Sequence, residues 1–299
     1  MNTFFYKTYP KGVIRVREED AEDYLQSQWT INFKRLSKGE IRYGLRLSTR
    51  GRVLADSFFF RLGEEEFLLV SRGCEGTEIN SLLEENIVAD EVEFSNESND
   101  WELITVWGSK EKLSTLFKEV NRPEKGNFVQ FENGYLFEDF AISPGAYSLL
   151  RPISDAMPDG WMPREATWEC LEKQRIRFGL ASIPNEIGPD ELPQEGRLEV
   201  DAIDFNKGCY LGQEVMARIH AMGRVRRLTV PVLWNGQKLP SLPTSLFADG
   251  KKCGILKSLI VQDGEKPIGM ALIHENGIDS LEGEGLTLEG ISEGRIQPL

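Results

Sequence analysis

The chain has 299 residues and carries 35 Lys and Arg against 48 Asp and Glu, a formal net charge of −13. This acidic balance argues against a protein that coats nucleic acid or lies on an anionic membrane, because both partners need a basic surface. No apolar run approaches the roughly 18 residues needed to span a bilayer, and the N-terminus lacks the apolar core of a signal peptide. We therefore expect a cytoplasmic protein that contacts neither membrane nor nucleic acid directly.

The first two thirds of the chain alternate single helices with pairs of short strands. Apolar residues at helical spacing predict an amphipathic helix between Asp20 and Trp29. Period-2 alternation predicts strands over 41–47, 53–62 and 66–71, the last two joined by a turn at Gly63. Further helices are expected after Thr77 (carrying Ile79, Leu82, Leu83 and Ile87), after Ser109 (carrying Leu113, Leu116, Phe117 and Val120), and from Pro163 to Gly179. This order indicates an α+β fold with helices packed on antiparallel sheets.

The pattern changes after residue 228. Short strands over 228–233, 245–248, 254–261 and 267–273 are punctuated by Gly, Pro and Asp, and no helical period is visible. We therefore expect two regions: residues 1–227 with two α+β lobes, one of them roughly 45–120 and the other discontinuous, and a small β-barrel over 228–299.

The four cysteines are Cys74, Cys170, Cys209 and Cys253, and consecutive ones are at least 39 residues apart. No zinc, iron–sulfur or CxxC redox site has this spacing, so we expect free thiols in a reducing compartment and no resident metal site. A chain with scattered thiols does not readily build a four-thiolate cluster by itself. Any iron–sulfur role is therefore expected to be transient or exercised on another protein.

One segment, Lys207-Gly-Cys-Tyr-Leu-Gly-Gln-Glu214, concentrates residues able to do chemistry. Its two glycines place Cys209 on a tight turn, and apolar spacing predicts a short helix just after it, ending at Gly223. Backbone N–H groups at a helix start favour a thiolate, and Lys207 would add positive charge. The alternative is that Cys209 is a small buried residue behind a glycine-rich turn; spacing alone leaves both open.

This segment resembles the signature of the YgfZ family of folate-binding proteins, relatives of the glycine-cleavage T-protein (aminomethyltransferase) and of mitochondrial iron–sulfur assembly factors. The resemblance extends in order over roughly residues 10–230. The flanking segments that carry it are 20–30, 48–56, 175–180 and 191–195. It implies a ring-like fold of two α+β lobes and a third, C-terminal barrel lobe. A central cleft between the lobes would take tetrahydrofolate or a one-carbon derivative.

The resemblance also implies roles for individual residues. Cys209 and Lys207 would be the functional pair, and the folate contacts would be Asp56, Tyr210, Gln213, Glu214, Arg218 and Arg227. Asp56 aligns with one of two adjacent acidic residues of T-proteins, whereas Ala55 stands in the other position, so the catalytic pair is incomplete. The alternative for Asp56 is an exposed turn carboxylate.

Two further groups of side chains have both a ligand-binding and an ordinary interpretation. The basic residues Arg218, His220, Arg224, Arg226 and Arg227 would seat the folate tail or another anion, or simply form a solvated face. Trp29 and Trp161 would stack on a pterin ring or, as tryptophans more often do, lie in the core.

By resemblance, the expected function is a tetrahydrofolate-binding accessory protein of iron–sulfur cluster assembly or repair, with Cys209 as its functional thiol. It would support iron–sulfur client proteins such as tRNA-modifying methylthiolases. The alternative is a folate-dependent aminomethyl- or formyltransferase resembling the T-protein. A third possibility is a binding module without chemistry, in which Cys209 only packs.

Overall fold

The chain folds into two β-sheets with flanking helices, followed by a closed β-barrel. This computed structural model describes residues 3–109, 113, 122–156, 164–262 and 264–299. In chain order the elements before the barrel are β1 (Phe4–Thr8), β2 (Gly12–Arg17), α1 (Ala21–Gln28), β3 (Ile41–Leu47), β4 (Val53–Arg61), β5 (Phe67–Ser71), α2 (Gly76–Glu84), β6 (Glu93–Asn96), β7 (Trp101–Trp107), β8 (Phe128–Phe131), β9 (Gly134–Glu138), β10 (Tyr147–Pro152), β11 (Arg164–Glu165), α3 (Trp168–Arg177), α4 (Glu199–Ala202) and α5 (Gln213–Met222).

The two sheets interleave along the chain. One has the strand order β3-β4-β5-β2-β6 and the other β11-β1-β7-β10-β9-β8. All their pairings are antiparallel except the parallel pair β1–β11. The first sheet takes its strands from residues 12–96, whereas the second combines 4–8 with strands between 101 and 165. Strands β4 and β5 of the expected lobe of 45–120 thus belong to the first sheet and β7 to the second, and the lobe boundary stays a prediction.

Strand β4 joins the two sheets through its alternating side chains. Phe58 and Phe60 face the second sheet, where both contact Phe137 of β9 with ring centroids 5.2 and 5.1 Å apart. Phe59 faces the other way and packs on Trp29 and Phe33 at 4.8 and 5.0 Å. Burying each of these rings contributes about 1.5–3 kcal/mol. Even-numbered positions of β4, Asp56 among them, thus point between the sheets.

Several sequence predictions are confirmed. Helix α1 buries Ala21, Tyr24, Leu25 and Gln28 as expected, and strands β3 to β5 lie within one residue of their predicted bounds. The helix predicted after Ser109 lies, apart from Leu113, outside the described residues.

Two predicted helices differ from the observed ones. Helix α2 ends at Glu84, so Ile87 is not on its buried face and is 39% exposed. Helix α3 begins only at Trp168, because residues 164–165 pair with β1 at the edge of the sheet. It ends as predicted near Gly179, whose positive φ of 66° reverses the chain.

The C-terminal barrel closes in the order β12-β15-β14-β13-β16-β17. Its elements are β12 (Arg227–Trp234), β13 (Thr244–Ala248), β14 (Lys251–Ile260), β15 (Ile268–His274), α6 (Glu275–Glu282), β16 (Leu286–Leu288) and β17 (Ile291–Pro298). The expectation of no helix in this segment is wrong. Helix α6 has two turns and buries only Gly277 and Leu281, too few positions to show a period in the sequence.

Three buried glutamates fasten the barrel to the rest of the molecule. Glu191 accepts from Lys257 of β14 at 2.8 Å, and Glu186 accepts from Ser258. Glu195 accepts two hydrogen bonds from Arg227, at 2.7 and 3.1 Å. Because buried carboxylates are costly unless they are paired, these contacts fix the barrel's position. No helix in the described part of the chain is both long and apolar enough to cross a membrane.

Candidate functional site

The Cys209 loop (residues 207–212) is anchored by the partly buried side chain of Lys207. Its Nζ donates to the main-chain oxygens of Gln26, at 2.7 Å, and of Trp29 and Ile31. These carbonyls lie at the C-terminal end of α1 and just beyond it, where the helix dipole favours a cation. The same Nζ lies 5.1 Å from the centre of the Tyr210 ring. Burial lowers the pKa of Lys207 to about 7, and nearby Asp204 opposes that shift.

Lys207 therefore positions the loop. The sequence predicts that its charge acts on Cys209, but an ammonium has three N–H donors and all three are directed to carbonyls. These contacts support a positioning role, and the catalytic role that the resemblance implies for Lys207 stays a prediction.

Tyr210 and Gln213 close the loop onto the start of α5. The Tyr210 N–H donates to Gln213 Oε1 at 3.2 Å, and the Gln213 N–H donates to the Tyr210 carbonyl at 3.3 Å. Tyr210 is 8% exposed, and burial raises the pKa of its hydroxyl to about 12. Gly212 has a φ of 81°, and a Cβ there would lie 2.6 Å from the Ser48 carbonyl oxygen. The loop is therefore pressed directly onto the turn between β3 and β4.

Cys209 is exposed at the rim of a cavity of about 450 Å³, which we call the Cys209 cavity. The residues that line this cavity are Ser27, Gln28, Thr49, Asn86 and the segment from Cys209 to Glu214. All four cysteines are among the described residues: Cys74 and Cys253 are buried, and Cys170 is partly buried. The alternative that Cys209 is a buried packing residue is wrong. Helix α5 begins just after the loop and is followed by Gly223, as the sequence predicts.

Asp56 lies in a different place, on the face of β4 between the two sheets. Its Oδ2 accepts from the Tyr43 hydroxyl at 2.7 Å, and its Oδ1 accepts from Ser71 Oγ at 2.8 Å and Cys74 Sγ at 3.4 Å. Burial raises the pKa of Asp56 above its ordinary value, and these three hydrogen bonds oppose the shift. The alternative of an exposed turn carboxylate is wrong, because the turn ends before Val53 and Asp56 lies inside the strand.

Asp56 lines a cavity of about 540 Å³, which we call the Asp56 cavity. Its walls come from β4, from the segment after β5, from α3 and from the loop that follows α3. The lining residues are Thr8, Tyr9, Lys11, Tyr43, Asp56, Arg72, Gly73, Glu75, Glu78, Ala141, Ile142, Trp168, Leu171, Glu172, Arg175 and Ala181 to Asn185. Trp168 is 48% exposed.

Arg72 brings a cation into the Asp56 cavity from the second sheet. Its Nη2 donates to Thr105 Oγ1 at 2.7 Å, to Ser148 Oγ at 2.8 Å and to Asp139. Its Nε is buried and has no hydrogen-bond partner among the described residues. Sequence reasoning missed Tyr43, Arg72 and Trp168. The one available signal was Tyr43, which shares the inward face of β3 with apolar residues.

The structure separates the residues that the resemblance grouped around folate. None of Tyr210, Gln213, Glu214, Arg218 and Arg227 is among the described residues that line the Asp56 cavity. The Cys209 loop packs on the turn at Gly51. Asp56 is five residues further along the chain, about 17 Å away if the strand is extended. Arg227 is bonded to Glu195, Glu214 lies at the Cys209 cavity, and Arg218 lies in a separate groove.

Of the two tryptophans considered for stacking on a pterin, the structure describes one. Trp29 is fully buried in the core, its ordinary interpretation, and Trp161 lies outside the described residues. Within the described ranges, no group of three or more His, Cys, Asp and Glu side chains is placed to hold a metal ion.

Residues 10–138 match the family described as the GCVT N-terminal domain. The chain is 26% identical over 275 residues to an uncharacterized protein of Haemophilus influenzae, covering 90% of this chain and 88% of that protein. It is 27% identical to a mitochondrial iron–sulfur cluster assembly factor IBA57 homolog of Coccidioides immitis, covering 79% of this chain and 58% of the relative. It is 25% identical to an aminomethyltransferase of Saccharopolyspora erythraea, covering 69% of this chain and 60% of the relative.

A solved structure shares the fold of the whole chain. The glycine cleavage system aminomethyltransferase T from Bartonella henselae superposes with a TM-score of 0.80 at 17% identity, covering 99% of this chain and 84% of that one. The two sheets and the closed barrel described above are thus the aminomethyltransferase fold. Residues 10–138 thus match a GCVT N-terminal domain and the whole chain has the aminomethyltransferase fold, which is the fold that the Lys207–Glu214 motif predicted.

Proposed function

We propose that the Asp56 cavity binds tetrahydrofolate or a one-carbon derivative. The amino-pyrimidinone edge of a pterin presents N–H donors, and a carboxylate is the acceptor that such an edge needs. Asp56 has about four acceptor positions, of which three receive donors from the protein. One acceptor position is left for a ligand.

The other walls of the cavity fit the rest of a folate. The volume of about 540 Å³ falls within the usual range of about 300–1,000 Å³ for small-molecule sites. Trp168 offers an aromatic face. Arg72 has a buried Nε without a partner among the described residues and is the cation we propose for a glutamyl carboxylate, whereas Lys11 is paired with Glu75 at 2.7 Å.

We further propose that the chain is an accessory protein of iron–sulfur cluster assembly or repair, with Cys209 as the functional thiol. The observation that carries this proposal is an exposed cysteine on a loop held in place by a partly buried lysine. A thiolate ligates cluster iron, and one cysteine supplies one ligand. A cluster bound at Cys209 would therefore be cargo shared with a client protein.

The relatives named as iron–sulfur cluster assembly factors support this assignment, and the motif resemblance adds the class of client. Radical iron–sulfur enzymes such as tRNA methylthiolases, working in the cytoplasm, are the clients we propose. The chain would act on these proteins without contacting tRNA itself, in keeping with its net charge of −13.

Complementation tests the role of the thiol. In a bacterial strain that lacks its own protein of this type, wild type and Cys170→Ser should restore methylthio-modified nucleosides in tRNA, measured by mass spectrometry. Cys209→Ser should fail, because a hydroxyl does not replace a thiolate toward iron. Cys170 is the matched control because it is partly buried and distant in sequence. Rescue by Cys209→Ser equal to wild type would refute the thiol's role.

The second candidate is a folate-dependent aminomethyltransferase-like enzyme. It is favoured by the relatives named aminomethyltransferases and by a carboxylate of raised pKa in the Asp56 cavity. Ala55, adjacent to Asp56, supplies no second carboxylate. A reconstituted glycine-cleavage assay separates the candidates: methylene-tetrahydrofolate production that is lost in Asp56→Asn would establish the enzyme.

A further inference from the structure

Five arginines surround a groove that is distinct from both cavities described above. Arg50 and Arg52 come from the turn between β3 and β4, Arg218 from α5, and Arg224 and Arg226 from the segment before β12. The groove has a volume of about 540 Å³. In a chain with a net charge of −13, five cations around one groove are a local reversal of sign.

Most of this positive charge is not neutralised by the protein. Arg50, Arg218 and Arg226 form no ion pair with any described residue. Arg224 is 88% exposed and contacts Glu275 at 3.4 Å. Elsewhere in the described chain, partly buried arginines such as Arg15 and Arg61 are bonded to carboxylates. The groove therefore presents guanidinium groups that are free to bind a ligand.

Among the described residues, the one carboxylate that lines the groove is already hydrogen-bonded within the protein. Glu195 has a side chain only 5% exposed and accepts two hydrogen bonds from Arg227. Arg52 lies 3.9 Å from Glu195 and donates to the Asp190 carbonyl at 2.9 Å, which fixes its position. Glu195 thus orders one wall of the groove and leaves little negative charge to repel an anion.

The backbone around the groove is held in place by direct packing. Gly51 has a φ of 71°, and a Cβ there would lie 2.9 Å from the side chain of Val215 on α5. The turn that carries Arg50 and Arg52 therefore rests on the helix that carries Arg218. Because guanidinium groups on fixed elements lose less freedom on binding, such an array favours a multivalent oxyanion.

The charge of the rest of the molecule limits the size of the ligand. A long polyanion would extend over acidic surface, whereas a small one feels mainly the groove, because charges are screened over roughly 8 Å at physiological salt. We propose that the arginine groove binds a small molecule with two or more oxyanion groups, either phosphates or carboxylates. Thr49 lines both this groove and the Cys209 cavity, so the bound anion would lie beside the Cys209 loop.

Calorimetric titration of the full chain with inorganic pyrophosphate and with citrate tests the proposal. Orthophosphate, which has a single phosphate group, is the comparison ligand. We expect one-to-one binding of pyrophosphate or citrate in physiological salt. The double variant Arg218→Gln/Arg226→Gln should weaken binding at least about tenfold, the effect of losing charge-assisted hydrogen bonds. The matched control is Arg35→Gln/Arg164→Gln, which removes two exposed arginines outside the groove and should bind as wild type.

The outcomes show whether the anion is a phosphate or a carboxylate, and they also include results that would overturn the proposal. Tighter binding of pyrophosphate identifies a phosphate ligand, and tighter binding of citrate identifies a carboxylate ligand. The proposal is overturned if neither probe binds more tightly than orthophosphate, or if both double variants weaken binding equally. Because Arg218 and Arg226 lie outside the Asp56 cavity, the groove variant should keep its affinity for tetrahydrofolate, and either result leaves the proposed function standing.

Discussion

The Asp56 cavity and the Cys209 loop use partly buried polar groups in opposite ways. At the cavity, the partly buried group is the one proposed to touch the ligand, and three donors from the protein hold it. At the loop, the thiol is exposed, and the partly buried group is the lysine that anchors the backbone beneath it. A partly buried acceptor suits a small molecule that is enclosed, whereas an exposed thiol suits a protein partner.

In both regions burial disfavours a charged group, but the expected consequence differs. Both pKa values are displaced toward the neutral form, upward for Asp56 and downward for Lys207, and burial is the main cause in each case. At Asp56, the proposed ligand would supply a donor in place of the lost solvation. At Lys207, burial serves the position of the loop. Removing Asp56 should therefore impair binding more than stability, and removing Lys207 should do the reverse.

The largest expected contrast is in thiol reactivity. In native protein treated with iodoacetamide, Cys209 should be labelled first, and Cys74 and Cys253 should react at least about 10³-fold more slowly, because they require unfolding. Burial also raises the pKa of Cys74 to about 12. Peptide mapping by mass spectrometry measures the rates, and equal labelling of Cys74 and Cys209 would contradict the exposed position of the loop.

Lys207→Met should have the largest effect on stability. It leaves three main-chain carbonyls without their donor, and we expect a loss of about 3 kcal/mol in the free energy of unfolding. Lys38→Met is the matched control, because Lys38 is exposed and forms no ion pair with a described residue; its effect should stay within about 0.5 kcal/mol. Urea unfolding measures both, and equal losses would argue against the anchor.

The pH dependence of stability should carry the signature of Lys207. Its pKa is about 7 in the folded chain against an ordinary 10.5, so between these values the unfolded chain holds the proton that the folded chain has released. The free energy of unfolding should therefore rise with pH across this window. The rise should be smaller in Lys207→Met, measured by urea unfolding at pH 7 and pH 9. An identical slope in both proteins would show that the ammonium keeps its ordinary pKa.

The smallest expected effect is on stability at Asp56. Asp56→Asn removes a partly buried charge but keeps an acceptor oxygen, so at pH 7 its free energy of unfolding should lie within about 1 kcal/mol of wild type. As pH falls, folded Asp56 takes up its proton before the unfolded chain does, because its pKa is raised. Wild type should therefore gain stability relative to the variant on acidification. A large loss at pH 7 would make Asp56 a structural residue.

The sequence predicts local features of this fold well because they depend on neighbours in the chain. The period of β3 and β4, the buried face of α1 and the glycines around Cys209 all follow from side-chain spacing. The pairing of β1 with β7 does not, because it joins residues about a hundred positions apart. The two-turn helix α6 was missed because it buries too few positions to show a period.

The candidate sites were predictable to the same degree. The exposed thiol was reachable from the motif, but the direction of the Lys207 side chain was not, since its three acceptors lie more than 170 residues earlier. Asp56 was found by resemblance, whereas Arg72 and Trp168 reach the Asp56 cavity only through tertiary packing. Cys209 and Arg218 are only nine positions apart in the chain, yet they line different cavities.

The most direct test of two separate sites is a titration with tetrahydrofolate of wild type, Asp56→Asn and Cys209→Ser side by side. Loss of a charge-assisted hydrogen bond should weaken binding by Asp56→Asn about tenfold or more. Cys209→Ser should bind as wild type does, because its side chain is exposed and lies outside the Asp56 cavity. Loss of affinity in Cys209→Ser with retention in Asp56→Asn would contradict the account and place folate at the Cys209 loop.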